Sequence, residues 1–370
     1  MNPTKNIKLE SIQALRGVAV LLVIAFHFRV YLNGVYTQKD LGDILFSMGE
    51  IGVDIFFVIS GFIITYSTMD KEKSSPIEFA IKRFFRLYPV FFIVLSVMIY
   101  FDFSNIYTTS QIIKSYLLIP NDYNFTGPWY GYNIIIPAWT LTYEIWFYMI
   151  FCISLCISHK YRTIISSLLL VGICSLSQFY FRGFIQIEPI IKDAFSYSVL
   201  SNFVFISNPI VYDFIYGMII AEIFTKAKDG FVKNVFSVSF ISSVMLVSIA
   251  IIISGYNSGP GAEKWGLYSF MLVCSIALMS RVIEIYNGRF LIFIGEISYS
   301  LYINHMVIYG ISYIYFKKFD ISISGFSMFF ILILLTICVS IITYLLIEKP
   351  SVMVGRKLIT FIRNERVSHN

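Results

Sequence analysis

Long apolar runs separated by short polar segments make up most of the chain between residues 12 and 347. A helix that crosses a membrane needs about 20 predominantly apolar residues, and ten stretches of the chain approach that length. They cover residues 12–30, 45–68, 87–103, 137–157, 163–181, 199–224, 235–254, 266–280, 290–314 and 324–347. The pattern therefore predicts an all-α, polytopic membrane helical bundle with about ten transmembrane helices.

The distribution of basic residues predicts how these helices are oriented. Cytoplasmic loops of membrane proteins are enriched in Lys and Arg. With the N-terminus inside, 19 of the 28 Lys and Arg residues fall in cytoplasmic segments, eight fall outside, and Arg16 lies within a span. We therefore predict that both termini are cytoplasmic.

Composition excludes an ordinary soluble protein. Apolar residues make up 57% of the chain and charged residues 14%, whereas soluble domains hold roughly 45–50% and about 25%. We predict one membrane domain, residues 1–350, and a basic cytoplasmic tail, residues 351–370. The charge of +6 comes from the inner segments, so no nucleic-acid partner is expected. The five cysteines lie in apolar segments without metal-ligand spacing, so no metal is expected.

Arg16 and His27 lie eleven positions apart within the first apolar run. On a helix this spacing puts them about 20° apart around the axis and about 16 Å apart along it. Ionisable groups inside a membrane are costly and usually face a partner or a cavity. The pair therefore suits a substrate that is anionic at its inner end and reacts further out. Alternatively, Arg16 extends to the inner headgroups and His27 bonds the backbone of a neighbouring helix.

Two carboxylates are candidate partners for the His27 imidazole. Glu144, flanked by Tyr143, and Asp54 both lie near the predicted outer ends of their spans. Either carboxylate could orient a histidine that acts as a general base. As a structural residue, Glu144 would instead pair with a helix dipole or a basic side chain. Ser60 and Gly61 allow close approach of a thin substrate or, equally, ordinary helix packing.

Arg83 and Arg86 lie one turn apart at the predicted inner mouth of the third span. Two guanidinium groups at this spacing suit bidentate contacts with phosphates, although the positive-inside rule alone also explains them. His305, in the ninth span, could join the His27 cluster or could be a packed, hydrogen-bonded core residue.

Six segments in order resemble the bacterial membrane-bound acyltransferase family 3. They are IQALRGVAVLLVIAFH, FFVISG, RFFR, PAWTLTYEIWFY, ISYSLYINH and IEKP, which together extend over residues 12–350. Each segment alone is a weak signal, whereas six in the same order over the whole bundle are specific.

The resemblance implies a multi-pass O-acyltransferase of the bacterial inner membrane. Such an enzyme transfers an acyl group, usually acetyl, from cytosolic acetyl-CoA to a hydroxyl group of a surface polysaccharide (O-antigen, capsule or exopolysaccharide) or of its lipid-linked precursor. His27 would be the essential histidine, Arg16 its basic partner, and Arg83 and Arg86 the arginine pair, with Ser60 and Gly61 in a conduit. The implied partners are acyl-CoA, the glycan acceptor, membrane lipids and, as an option, a second copy of the chain. Some relatives carry an additional C-terminal domain; few residues follow Glu348, so we expect none here.

The alternative function is a glycan-lipid transporter or flippase, which would also use many spans and buried charges. Against it, no inverted repeat is evident, and the charges cluster around one histidine rather than along a path.

The predicted orientation can be tested with reporter fusions. Green fluorescent protein fused after residue 370 should fluoresce, and alkaline phosphatase at the same position should be inactive, because the C-terminus is predicted to be cytoplasmic. Alkaline phosphatase inserted in the predicted outer connection, residues 104–136, should be active. The opposite pattern at these two positions would contradict the topology.

Overall fold

A computed structural model describes residues 3–70, 74–101, 107–192, 199–282, 288–319 and 323–368. The prediction of an all-α protein is confirmed, since no β-strand occurs within these ranges. The α-helices are α1 (Pro3–Phe28), α2 (Leu41–Phe46), α3 (Gly52–Ser67), α4 (Pro76–Tyr100), α5 (Thr109–Tyr116), α6 (Trp139–Ile157), α7 (Arg162–Arg182), α8 (Tyr212–Lys226), α9 (Asp229–Val232), α10 (Val235–Ser254), α11 (Trp265–Met279), α12 (Arg289–Glu296), α13 (Ser298–Lys318), α14 (Gly325–Thr343) and α15 (Lys349–Ser368).

Among the described residues, fewer helices than the ten apolar runs have the length and composition of a membrane-crossing helix. Seven helical segments are long and apolar enough, and α12 with α13 makes an eighth if this pair, bent by 71°, counts as one span. The remaining two predicted spans contain α8 and α11, which have only 15 residues each. Each predicted span thus contains a helix, but two of these helices are shorter than the roughly 20 residues of a typical membrane-crossing helix.

Asn208 and Pro209 divide the sixth predicted span, residues 199–224. Proline lacks a backbone N–H and is favoured at the first position of a helix rather than inside one. The Asn208 side chain accepts a hydrogen bond from the backbone N–H of Ile210 at 3.1 Å. The 3-10 turns that precede this cap are therefore separate from α8.

The helix that carries Arg83 and Arg86 begins earlier than predicted. Ser75 caps α4 by accepting a hydrogen bond from the backbone N–H of Glu78 at 3.3 Å, and Pro76 occupies the first position. This is a common signal for a helix N-terminus. The two arginines consequently lie about two turns inside α4 rather than in the loop predicted before residue 87.

Gly61 and Gly217 allow α3 and α8 to touch backbone to backbone. A Cβ atom on Gly61 would clash with the carbonyl oxygen of Phe214, and one on Gly217 would clash with that of Val58. Small residues at helix crossings permit this close approach in membrane proteins. Gly61 therefore serves helix packing, which is one of the two alternatives that its sequence context allowed.

A second close crossing joins α1 to α12. A Cβ atom on Gly17 would clash with the carbonyl oxygen of Leu291, and one on Gly295 would clash with that of Gln13. The chain bends sharply just after this crossing, between α12 and α13. As a result, the first turn of α13 faces the turn of α1 that carries Arg16.

The C-terminal helix α15 packs along α4. Ser351 donates a hydrogen bond to the carbonyl oxygen of Phe85 at 2.5 Å, and Arg363 donates two hydrogen bonds, of 2.7 and 2.5 Å, to the Glu78 carboxylate. The basic segment predicted as a tail is thus a docked helix over its described part, residues 351–368. The last two residues of the predicted tail lie outside the described ranges.

Gly61→Ala should destabilise the bundle, because overpacking a close contact costs about 1–3 kcal/mol. Gly172→Ala on α7 is the matched control, since a Cβ atom there would meet no heavy atom within 4 Å. Thermal unfolding of the purified variants in detergent measures the difference. Equal melting temperatures for Gly61→Ala and Gly172→Ala would contradict the packing role of Gly61.

Candidate active site

A cavity of about 300 Å³ lies among α1, α3, α4, α6 and α13. Charged and hydroxyl groups line one part of it and apolar side chains line the rest. The polar lining residues are Gln13, Arg16, Ser60, Arg83, Arg86, Thr140, Glu144, Tyr148, Ser298, Tyr299 and Tyr302. The structure thus brings five of the residues singled out in the sequence, Arg16, Ser60, Arg83, Arg86 and Glu144, around one space.

Three guanidinium groups face this cavity from two helices. Arg16 donates hydrogen bonds to Ser298 Oγ at 2.8 Å and to Gln13 Oε1 at 3.3 Å. The Arg83 guanidinium carbon lies 5.5 Å from the ring centre of Phe79 and 5.6 Å from that of Tyr148. Cations over aromatic faces are stabilised by the ring quadrupole. Arg83 Nε has no hydrogen-bond partner among the described residues, and Arg86 lines the same cavity, so the pair is placed to bind an anionic ligand.

The Glu144 carboxylate lies in the arginine-lined cavity. Its Oε1 atom accepts hydrogen bonds from Ser60 Oγ at 3.1 Å and from the Tyr148 hydroxyl. Tyr148 lies one turn after Glu144 on α6, so the two side chains share a helix face. The structure thus pairs Glu144 with hydroxyl groups and places it near arginines, rather than bringing it to His27.

His27 lies outside the cavity lining and meets His305 instead. The two ring centres are 5.1 Å apart, with an angle of 41° between the ring planes. Tyr302, one turn before His305 on α13, lines the cavity and lies 5.9 Å from the His305 ring. Tyr302 therefore connects the arginine-lined cavity to the histidine pair.

Asp54 and Tyr143 lie elsewhere in the bundle. Asp54 Oδ1 accepts a hydrogen bond from the backbone N–H of Gly261 at 2.8 Å, and Asp213 from α8 faces the same carboxylate. Tyr143 is fully buried and donates to the carbonyl oxygen of Pro128 at 2.8 Å. The structure does not bring either residue to His27, because Asp54 points toward α8 and the segment that precedes α11, and Tyr143 points toward the 128–130 turn.

Several site residues were not singled out in the sequence. Tyr148 and Ser298 line the cavity, and Glu348 accepts a hydrogen bond from Ser300 at 2.6 Å while lying near Arg16 and Arg86. Glu348 is 3% exposed. Its position at the end of the last apolar run could have identified it as a site residue. Tyr148 could have been found from its position one turn after Glu144.

The arrangement provides two sites with different chemistry. One is a cationic cavity with a carboxylate, suited to the phosphates and amide groups of a donor. The other is a pair of imidazoles, side chains that can accept or transfer a proton in catalysis. Within the described residues, no group of three His, Cys, Asp or Glu side chains is arranged to hold a metal ion.

Comparison with known families identifies the chemistry. The chain matches the family model for an acyltransferase domain over residues 9–345. It belongs to the acyltransferase 3 family. The match extends over nearly the whole helical bundle, including the cavity and the histidine pair, so the protein is an acyltransferase.

Two relatives illustrate the range of this family. The chain is 26% identical over 322 residues to the exopolysaccharide production protein ExoZ of Rhizobium meliloti, covering 84% of this chain and 92% of that protein. It is 25% identical to the O-acetyltransferase OatA of Staphylococcus aureus over 97% of this chain, but spans only 59% of OatA. No solved structure matches the chain.

Arg83→Gln should weaken binding of an acyl-CoA donor. Hydrogen bonds to charged groups contribute about 1.5–3 kcal/mol, so the KM for the donor should rise by roughly tenfold or more. Lys226→Gln is a control that removes one positive charge at a residue whose side chain is 77% exposed. Steady-state kinetics with varied acetyl-CoA measures both. An unchanged KM in Arg83→Gln would exclude Arg83 from donor binding.

Proposed function

We propose that this acyltransferase transfers an acetyl group from cytosolic acetyl-CoA to a sugar hydroxyl of a surface polysaccharide, such as O-antigen, capsule or exopolysaccharide, or of its lipid-linked precursor. The observation that carries the proposal is the arginine-lined cavity that meets the His27–His305 pair through Tyr302. The name of the relative ExoZ supports an exopolysaccharide acceptor, and the name of OatA supports acetyl as the transferred group.

The donor enters from the cytoplasmic side in this proposal. Arg83 and Arg86 hold its phosphates, and Arg16 contacts the next anionic or polar group. The narrow pantetheine arm then extends through the cavity past Tyr302 toward His27. The helical rise between Arg16 and His27, about 16 Å, is a distance that a thin, extended arm can bridge.

The acceptor approaches from the outer side, where aromatic residues cluster. Trp129 and Tyr132 lie in the connection before α6 with ring centres 6.2 Å apart, and Trp129 also contacts Trp139 edge-on. Flat aromatic faces can stack on sugar rings. Burial raises the pKa of Tyr132 above its ordinary value, so its hydroxyl stays protonated and can donate to a sugar oxygen.

The transfer step balances with His27 as general base. His27 takes the proton of the sugar hydroxyl while that oxygen attacks the thioester carbonyl. The new oxygen–carbon bond forms, the carbon–sulfur bond breaks, and the thiolate of coenzyme A receives the proton from His27. In a variant of this route, His27 is first acetylated and then transfers the group to the sugar.

His27→Ala should reduce acetyl transfer by about 10²–10⁴-fold, the usual contribution of a general base. His159→Gln is the histidine control, because His159 contacts the carbonyl oxygen of Thr68 at 2.8 Å and lies outside the cavity lining. The assay is acetyl-CoA-dependent release of free coenzyme A by purified protein in liposomes with the polysaccharide of the host strain. Wild-type rates in His27→Ala would refute both routes.

Deletion of the gene should remove an acetyl-sized mass from the surface polysaccharide, and mass spectrometry of purified glycan detects this loss. Expression of the wild-type chain should restore it. If the glycan keeps its mass but no longer reaches the surface, and the protein consumes no acetyl-CoA, the protein is a transporter and the proposal is wrong.

A further inference from the structure

Two histidines from different helices meet beyond the cavity. His27 comes from the end of α1 and His305 from the second turn of α13, and their ring centres are 5.1 Å apart. Aromatic contacts fix the approach of the two helices, since Phe28 and Tyr309 stack with centres 6.4 Å apart and an angle of 16° between their planes. The pairing of the imidazoles is therefore part of the helix interface rather than an encounter between loose side chains.

The His305 ring is enclosed, whereas the His27 ring is only partly buried. His305 is 0% exposed, and neither ring nitrogen makes a hydrogen bond of good geometry within the described residues. The backbone groups of Leu301 and Tyr302, in the preceding turn, lie beside its ring. A backbone carbonyl beside one ring nitrogen favours the proton on that nitrogen and leaves the other as an acceptor.

The acidic residues expected to orient His27 make other contacts. Glu144 accepts from Ser60 and Tyr148, and Asp54 accepts from the backbone of Gly261. Arg29, two residues after His27 in the sequence, forms an ion pair with Asp43 at 2.7 Å. The side chain that meets the His27 ring from another helix is therefore the His305 imidazole rather than one of these carboxylates.

We propose that His305 is the positioning residue for His27, in the role that a carboxylate fulfils in hydrolytic triads. Neither His305 nitrogen has a partner among the described residues. In the reacting enzyme one of them accepts the N–H of His27, so the other nitrogen of His27 carries the lone pair that faces the substrates. When His27 takes the proton of the sugar hydroxyl, the hydrogen bond to His305 stabilises the resulting cation. This inference rests on the proposed function for its catalytic meaning, although the pairing itself does not.

A neutral partner suits this location on physical grounds. A carboxylate inside the membrane needs its own counter-charge and is costly without one. An imidazole can accept a hydrogen bond without a charge, so His305 can fix the tautomer of His27 at a smaller desolvation cost. Tyr302 places this partner next to the cavity that would hold the donor.

Substitutions at His305 separate a positioning role from a packing role. His305→Phe keeps a ring but removes the acceptor, so kcat should fall about 100-fold, within the range for general acid–base catalysis, while the KM for acetyl-CoA changes less than about twofold. His305→Gln keeps an amide acceptor and should recover most of the loss. Asn304→Ala is the control, because Asn304 is buried on the same helix but donates to Thr343 on α14.

Two kinetic outcomes overturn the inference. The first is wild-type kcat in a folded His305→Phe protein. The second is an equal loss of kcat in His305→Gln and His305→Phe with normal melting temperatures. That result would mean that kcat does not depend on a hydrogen-bond acceptor at this position.

Nuclear magnetic resonance of protein labelled with ¹⁵N-histidine tests the pairing independently of the reaction. The chain has only four histidines. The ¹⁵N signals that disappear in His27→Gln are those of His27. His27 should populate one neutral tautomer in the wild type and both in His305→Phe. The same tautomer distribution in both proteins would overturn the inference, even if acetyl transfer is established. The expected change in a protein without transferase activity would support the pairing and refute the proposed function.

Discussion

The structure depends on holding guanidinium groups inside an apolar helix bundle. Arg16 projects from a helix whose core face is closely packed, and it is tolerated because Ser298 and Gln13 accept its hydrogen bonds. That contact requires α12 to approach α1 closely at Gly17 and Gly295 and α13 to begin at a sharp bend. A buried cation is costly unless it is paired or hydrated, so the crossing, the bend and the cavity form one connected arrangement.

The same arrangement separates anion binding from proton transfer. Arg83, Arg86 and Glu144 share the cavity with Arg16, whereas His27 lies further along α1 and contacts His305. In the function that we propose, this separation lets a donor remain anchored by its charged end on one side of the membrane while its acyl group reacts nearer the other side. Tyr302 is the residue common to the arginine-lined cavity and the histidine pair.

The sequence predicted the helices and much of the cavity because hydropathy and helical spacing are local properties. Arg16, Ser60 and Glu144 were recognised as polar groups within predicted spans, and Arg83 and Arg86 as a pair at an inner mouth. All five line one space. The partners of those groups could not be predicted, because helical spacing gives the face of a residue but not the helix that covers it. Hence Glu144, a candidate partner of His27, lies with Tyr148 and Ser60, and Asp54, the other candidate, lies against Gly261. The earlier start of α4 could have been predicted from the pair Ser75-Pro76.

Electron cryomicroscopy of the protein in lipid nanodiscs with a non-hydrolysable acetyl-CoA analogue would locate the donor relative to the arginines and the histidine pair. We expect phosphate density at Arg83 and Arg86, an extended arm through the cavity, and the acetyl carbonyl beyond Tyr302 within reach of His27. Donor density outside this cavity, or an acetyl group that stays near Glu144 while His27 remains separated from it by Tyr302, would show that the cavity and the histidine pair do not work together in this way.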